Sequence, residues 1–398
     1  MNVPERDRES NADADRLARE LAPTRPLPGE EPGGRPEPGI GLCLSGGGYR
    51  AMLFHVGALR RLNEAALLPQ LERVSSVSGG SITAGQLALA WPDLAFDGDV
   101  AGRFVELVEK PLRRLAGETI DRAAISRGIF TRGTIGQKVA AAYRTHLFGD
   151  KTLQELPDDP APRFIINATN LQSAVLWRFS RPYMRDYRVG SVPNPRVAVA
   201  TAVAASAAFP PFLSPVVLDL DDAAYAPESG DDLQRPPYTT EVVLADGGVY
   251  DNLGLETVWK RYQTVLVSDG GGHVAAEESP PKDWLRQVPR VLSVIDGQVR
   301  ALRKRQVIES YRQGWRDGAY WGIRSHIGDY GVPDTLPCEP AATMRLATVG
   351  TRLARMEAVL QERLINWGYA VCDAALRAHV DPQLTAPSGF PYPSAAVG

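Results

Sequence analysis

Residues 40–52 read IGLCLSGGGYRAM and residues 71–81 read LERVSSVSGGS, and these two stretches decide the fold. Each starts as a short run of apolar and small residues, turns at glycines, and passes into helical spacing. After the first, Met52, Val56, Leu59 and Leu62 recur at close to the helical period. After the second, Gly79-Gly80-Ser81 opens a segment that runs through Leu87 and Leu89. Strands at Ile40–Leu44 and Arg73–Val77, each feeding a helix through a glycine turn, predict an α/β fold with parallel strands.

Working outward, Phe164–Ala168 and Val175–Phe179 predict two further strands. Val242–Leu244 and Thr264–Val267 predict two more, each followed by Asp-Gly-Gly. Residues 284–313 and 341–381 predict long helices, the second marked by Leu353, Met356, Val359, Leu360, Leu364 and Trp367. Residues 101–145 read as peripheral helix. The alternation predicts a mostly parallel sheet covered on both faces. Pro-rich stretches at 184–195 and 221–238 are candidates for substrate-contacting surface. Residues 1–37, rich in Pro, Gly, Glu and Arg, bury too little to offset their ordering entropy and predict a disordered arm. One domain is expected over residues 38–381, and a flexible tail over 382–398.

The totals exclude some functions. Among 398 residues, 44% are hydrophobic and 23% charged, enough for a sizeable core. With 44 Lys+Arg against 47 Asp+Glu, the net charge of -3 gives no footprint for nucleic acid. Cys43, Cys338 and Cys372 are odd in number and scattered, which argues against a disulfide framework or a zinc site. Cys43, inside an apolar strand, reads as a small core residue. The polar start lacks the apolar core of a secretory signal, and no run of about 18 apolar residues occurs. The expectation is a soluble, cytoplasmic protein, at most peripheral at membranes. Abundant Ala and an excess of Arg over Lys suggest a GC-rich bacterial source.

Three glycine-marked turns carry the chemistry. Ser76-Val77-Ser78-Gly79-Gly80 approaches the nucleophile elbow G-x-S-x-G, with Ser76 where glycine is usual. Alone the motif is weak, because Ser-Gly turns at strand–helix junctions are common. Gly46-Gly47-Gly48-Tyr49-Arg50 leaves backbone N–H groups unshielded at a helix start, a place for an anion or oxyanion. Gly46-x-Gly48-x-x-Ala51 also fits a dinucleotide fingerprint. That reading needs an acid roughly 20 positions on, at the end of the second strand. The only acid there, Glu72, precedes the strand, and no Gly-Lys-Ser/Thr follows for a P-loop. The third turn, Asp246-Gly247-Gly248, puts a carboxylate at a strand end, read as the C-terminal end of a parallel strand. Asp269-Gly270-Gly271 nearly copies it, so Asp-Gly-Gly alone does not choose between the two aspartates.

None of the histidines, His55, His146, His273, His326 and His379, lies in a pattern typical of a catalytic loop. His55 reads as packed inside its helix, and His273 is the best candidate if a histidine base exists. Their placement favours a Ser/Asp dyad over a triad.

Taken in order, the three turns resemble the motifs of the bacterial patatin-like phospholipase family: a Gly-rich loop ending in a basic residue, a serine elbow and a later Asp-Gly-Gly. Ala204–Phe212 looks like that family's Ala/Ser-rich helix running into a Pro loop, and Val249-Tyr250-Asp251-Asn252-Leu253 like the segment after its aspartate. The resemblance covers roughly residues 38–275 and implies a three-layer α/β/α sandwich, no cofactor or metal, and hydrolysis of lipid acyl esters. It implies Ser78 and Asp246, not Asp269, as catalytic residues, Gly46, Gly47 and Gly48 as the oxyanion hole, and Arg50 as a loop anchor or phosphate ligand. The expected partners are a phospholipid or other acyl-lipid substrate and a transient membrane surface. An esterase for small soluble esters and a non-catalytic phosphate-binding module are the alternatives.

Overall fold

The computed structural model describes residues 36–120, 135–211, 213–272 and 276–398. The expected N-terminal arm falls almost wholly outside them. Ten strands form one sheet: β1 (Glu37–Leu44), β2 (Leu71–Val77), β3 (Arg163–Asn170), β4 (Val175–Phe179), β5 (Tyr183–Asp186), β6 (Gly190–Pro193), β7 (Val216–Asp219), β8 (Glu241–Asp246), β9 (Tyr262–Asp269) and β10 (Asp317–Gly322). The central run β10-β9-β1-β2-β3 is parallel throughout, as the glycine turns predict. Beyond β3 the sheet turns antiparallel through β4, β5 and β6.

The parallel strands bury both faces, and alternate residues enter different cores. Leu42 and Leu44 of β1 join the larger core, and Cys43 between them joins the smaller. Helices α1 (Gly48–Glu64), α2 (Gly79–Ala90), α3 (Val199–Ser206) and α6 (Ala358–His379) contribute to the larger core. The smaller holds Val258 of α4 (Glu256–Trp259) and Val307 of α5 (Trp284–Arg312). This is the expected three-layer α/β/α sandwich.

Helices α1 and α6 cross at glycine. A Cβ on Gly57 would lie 1.9 Å from the Ile365 carbonyl oxygen, and one on Gly368 would lie 1.9 Å from that of Phe54. Nearby, Asp373 of α6 receives Arg61 of α1 at 2.8 Å and Arg377 at 2.9 Å, all buried.

Several expectations need correction. The helix expected over 341–381 is two, Pro340–Ala347 and α6, because the loop between them gives its carbonyls elsewhere. Arg352 O accepts the Tyr49 N–H at the start of α1, and Leu353 O accepts that of Ile120. Leu353 and Met356 are buried within that loop. In 101–145, α-helix is found at Lys110–Ala116 and Ile135–Tyr143, with residues 121–134 outside the described part. Residues 184–195 mostly form β5 and β6, and neither they nor 221–238 line the pocket described below.

The expected flexible tail is also packed down. Asn366 donates to the carbonyls of Tyr392 and Ala396, Arg113 stacks over the Tyr392 ring, and Val397 is buried. The apolar Phe390, Tyr392 and Val397 supply contact area that the Pro and Ser around them obscure.

Candidate active site

Strand β2 ends at Val77 and α2 begins at Gly79, so Ser78 alone makes the corner. Its φ of 50° and ψ of -117° lie where a side-chain-bearing residue is strained, at a typical cost of about 1–3 kcal/mol. Hydroxyls behind it hold that geometry. The Ser78 N–H donates to Ser206 Oγ at 2.9 Å, which sits 2.9 Å from Ser81 Oγ. Ser81 donates to Ser76 Oγ at 3.0 Å, and Ser76 donates to the Ile165 carbonyl at 3.1 Å. Each hydroxyl has one proton, so the chain runs in one direction, from Ser206 to Ser81 to Ser76 to Ile165. Ser76, in the place of the usual glycine, is thus a buried link beneath the elbow.

The aspartate arrives from the opposite direction. Strand β8 is antiparallel to β3, which corrects the expectation of a parallel strand. It takes over the edge of β3 where β2 leaves off: Val77 pairs with Asn167, and Asp246 with Ala168. The two strands meet end to end, so Ser78 and Asp246 line the same pocket, with the Ser78 hydroxyl close enough to favour the ionised carboxylate. Asp246 Oδ1 also accepts the Gly248 N–H at 2.7 Å. Burial raises the Asp246 pKa to about 7, against the opposing pull of the Gly248 N–H and the Ser78 hydroxyl, with a further upward push from Asp296. Ser206 ties the two turns together, since its carbonyl accepts the Gly247 N–H at 3.2 Å.

Asp269 is committed elsewhere. Its carboxylate accepts the Tyr320 hydroxyl at 2.7 Å and the Gly271 N–H at 2.9 Å. His55 is buried as expected, with Nε2 2.9 Å from Ser45 O and Nδ1 2.8 Å from Ser268 Oγ. Because a carbonyl can only accept, Nε2 carries the proton and Nδ1 accepts. Burial lowers the His55 pKa to about 4, so the ring stays neutral. His273 lies outside the described residues, and among those described no histidine lines the pocket.

In the glycine loop, Gly47 and Gly48 have φ of 144° and 60°, values that favour glycine. Their N–H groups have no backbone acceptor among the described residues. Gly46 differs: its N–H donates to Asn252 O at 3.0 Å. It serves instead as a point of close approach, since a Cβ there would lie 2.2 Å from Asn252 Oδ1. Arg50 is buried and donates to the carbonyls of Gly270, at 3.1 Å, and Val349. Those contacts suit the expected loop anchor, and Arg50 also lines the pocket described next. Burial, with Arg300 nearby, lowers its pKa to about 10.

A pocket of about 640 Å³ opens over Ser78, Asp246 and the glycine loop. Phe209 and Leu213 give it apolar wall, and Thr348–Leu353 a second side. Arg290, Ser293, Asp296 and Arg300 of α5 close a third. Asp296 and the 348–353 loop carry no sequence signal; they read as ordinary helix. Asn252 was legible only as part of a motif, yet its Nδ2 donates to Asp296 at 3.2 Å while its carbonyl holds Gly46.

The family model for patatin-like phospholipase matches residues 42–259, a span that holds the glycine loop, Ser78 and Asp246 but not Asp269. No curated protein is similar enough in sequence to count as a relative. Among solved structures, human GIVD cytosolic phospholipase A2 is 14% identical, with 95% of this chain and 65% of that one covered and a TM-score of 0.49. VipD from Legionella pneumophila is 15% identical, with 87% and 68% covered and a TM-score of 0.34. The chain thus spans 65% of the length of the human protein. With more than half of its residues inside the matched region, the chain belongs to the patatin-like phospholipase family.

Proposed function

We propose that the protein is a lipid acyl hydrolase of phospholipase A or lysophospholipase type, working through a Ser78/Asp246 dyad. The observation that carries this reading is the meeting of a strained serine and a buried carboxylate, whose pKa is about 7, in the lining of one partly apolar pocket. A carboxylate in that range is half ionised near neutral pH and still basic enough to take a hydroxyl proton.

In the proposed reaction Asp246 accepts the Ser78 proton as Oγ attacks the ester carbonyl. The N–H groups of Gly47 and Gly48 hold the oxyanion, each typically worth about 3–4 kcal/mol. Protonated Asp246 then gives its proton to the leaving alkoxide, and an acyl-enzyme remains. Water hydrolyses it with Asp246 as base again, which restores Ser78. The expected partners are a phospholipid or related acyl lipid and, transiently, the membrane that holds it. Among the described residues no helix is long and apolar enough to cross a membrane.

Product analysis on mixed phospholipids tests the reading. It predicts free fatty acid and a lysophospholipid from the wild type and neither from Ser78→Ala. Turnover of short nitrophenyl esters with none of phospholipid would mean a soluble esterase instead. No turnover of either would remove the enzymatic reading.

A further inference from the structure

Helix α5 has two faces that do different things. On the inner face Asp296 accepts from Asn252 and Arg300 donates to the Gly272 carbonyl at 2.7 Å, so that side belongs to the pocket. On the outer face Val288, Val291, Ile295 and Leu302 are 42%, 46%, 53% and 59% exposed. Their spacing places them in one stripe along a helix. Val294, beside Ile295, is exposed as well. In a globular protein such a stripe normally turns inward. Here it lies outward on the helix that walls the pocket, where Phe209, another wall residue, is 42% exposed.

Single exposed apolar residues mean little, but a contiguous stripe marks a docking surface. The charge says what kind. Helix α5 carries seven Arg and Lys against two acids, Asp296 and Glu309, in a chain of net charge -3. Asp296 and the Lys304 ammonium are turned inward, while Arg286 and Arg305 are exposed near the two ends of the stripe. Arg286 pairs with Asp283 at 2.6 Å and Lys304 lies over the Tyr320 ring at 4.5 Å, which leaves Arg305 as the main exposed cation at the Leu302 end, with Arg312 and Glu309 further along the helix. An apolar stripe flanked by cations is the pattern of a helix lying in a lipid interface. A second copy fits less well, because a two-fold contact through this face would set two basic helices against each other.

We propose that the outer face of α5 docks on an anionic lipid bilayer and so sets the pocket against the membrane surface. The proposal rests on the lipid-hydrolase reading for its purpose, but its test does not. The full chain is sedimented with vesicles of phosphatidylcholine alone and of phosphatidylcholine mixed with phosphatidylglycerol. The wild type should pellet with the mixed vesicles, less so at high salt. A variant combining Val291→Gln, Ile295→Gln and Leu302→Gln should bind them at least about tenfold more weakly. Since these side chains are outside the pocket, its turnover of a soluble nitrophenyl ester should stay at the wild-type level.

Equal pelleting of variant and wild type would overturn the proposal, as would a wild type that ignores anionic vesicles. A wild-type dimer that the variant abolishes would assign the face to a second copy instead. Stripe-dependent vesicle binding without hydrolysis of any ester would sink the enzymatic reading and leave the docking face standing. Ester hydrolysis without vesicle binding would do the reverse.

Discussion

At the scale of single residues, the strained Ser78 and the buried Asp246 face one pocket. As the proposed base, Asp246 must be ionised to act. Its folded pKa of about 7 lies above the ordinary aspartate value, so activity is lost as pH falls through that range, not near 4. We expect kcat/KM for a soluble ester to rise through a single ionisation with a midpoint near pH 7. A midpoint near 4 would mean that the base is exposed or is another group. The hydroxyl chain behind the elbow makes a separate prediction. Ser206→Ala removes the acceptor of the Ser78 N–H and one link of the chain. Substrate contacts stay, so kcat should fall by about tenfold with KM little changed, the mark of a displaced nucleophile. Equal kcat in mutant and wild type would make the chain a packing feature only.

At the scale of elements, the local pattern and the pairing were unequally legible. Strands around Ile40–Leu44 and Arg73–Val77 could be read because glycine turns punctuate them, and the structure extends them by only a few residues. The end-to-end meeting of β2 and β8 could not be read, since strand direction is set by distant pairing to β3. The break in the expected 341–381 helix was hidden for the same reason. Its cause is Tyr49 and Arg50, some 300 residues earlier, taking the carbonyls of Arg352 and Val349. Where α1 crosses α6, two helices touch backbone to backbone, and Gly368→Ala has nowhere to put a methyl group. Overpacking of this kind should cost about 1–3 kcal/mol, read as a lower denaturant midpoint. An unchanged midpoint would show that the helices separate freely.

At the scale of the molecule, the alternation of strands and helices indicated a sheet covered on both faces and the family resemblance implied the three-layer sandwich, while the clamp around it came only with the structure. Arg61 reaches both Asp373 and the Thr385 carbonyl, so one buried cation joins α1, α6 and the segment after it. In sequence these are a surface-like arginine on a helix and a Pro-rich end, which is why 382–398 read as a flexible tail. Removing the shared anion by Asp373→Ala leaves Arg61 and Arg377 buried without it. That should destabilise the fold by about 3–5 kcal/mol, measured by denaturant unfolding, with kcat/KM preserved where the protein stays folded. A change under about 1 kcal/mol would mean that the cluster is solvated. The candidate site was legible to a similar degree. Ser78 and Gly47–Gly48 stood out through their turns and Asp246 was separated from Asp269 by the family resemblance, whereas Ser206 and Asp296 act through contacts that only folding creates.

The central claim is that Ser78 is a nucleophile activated by Asp246, and reaction with a fluorophosphonate probe, followed by peptide mapping, tests it most directly. One adduct is expected, on Ser78, formed much more slowly in Asp246→Asn. An adduct on a different residue, or none on Ser78 in protein that hydrolyses the ester, would contradict it.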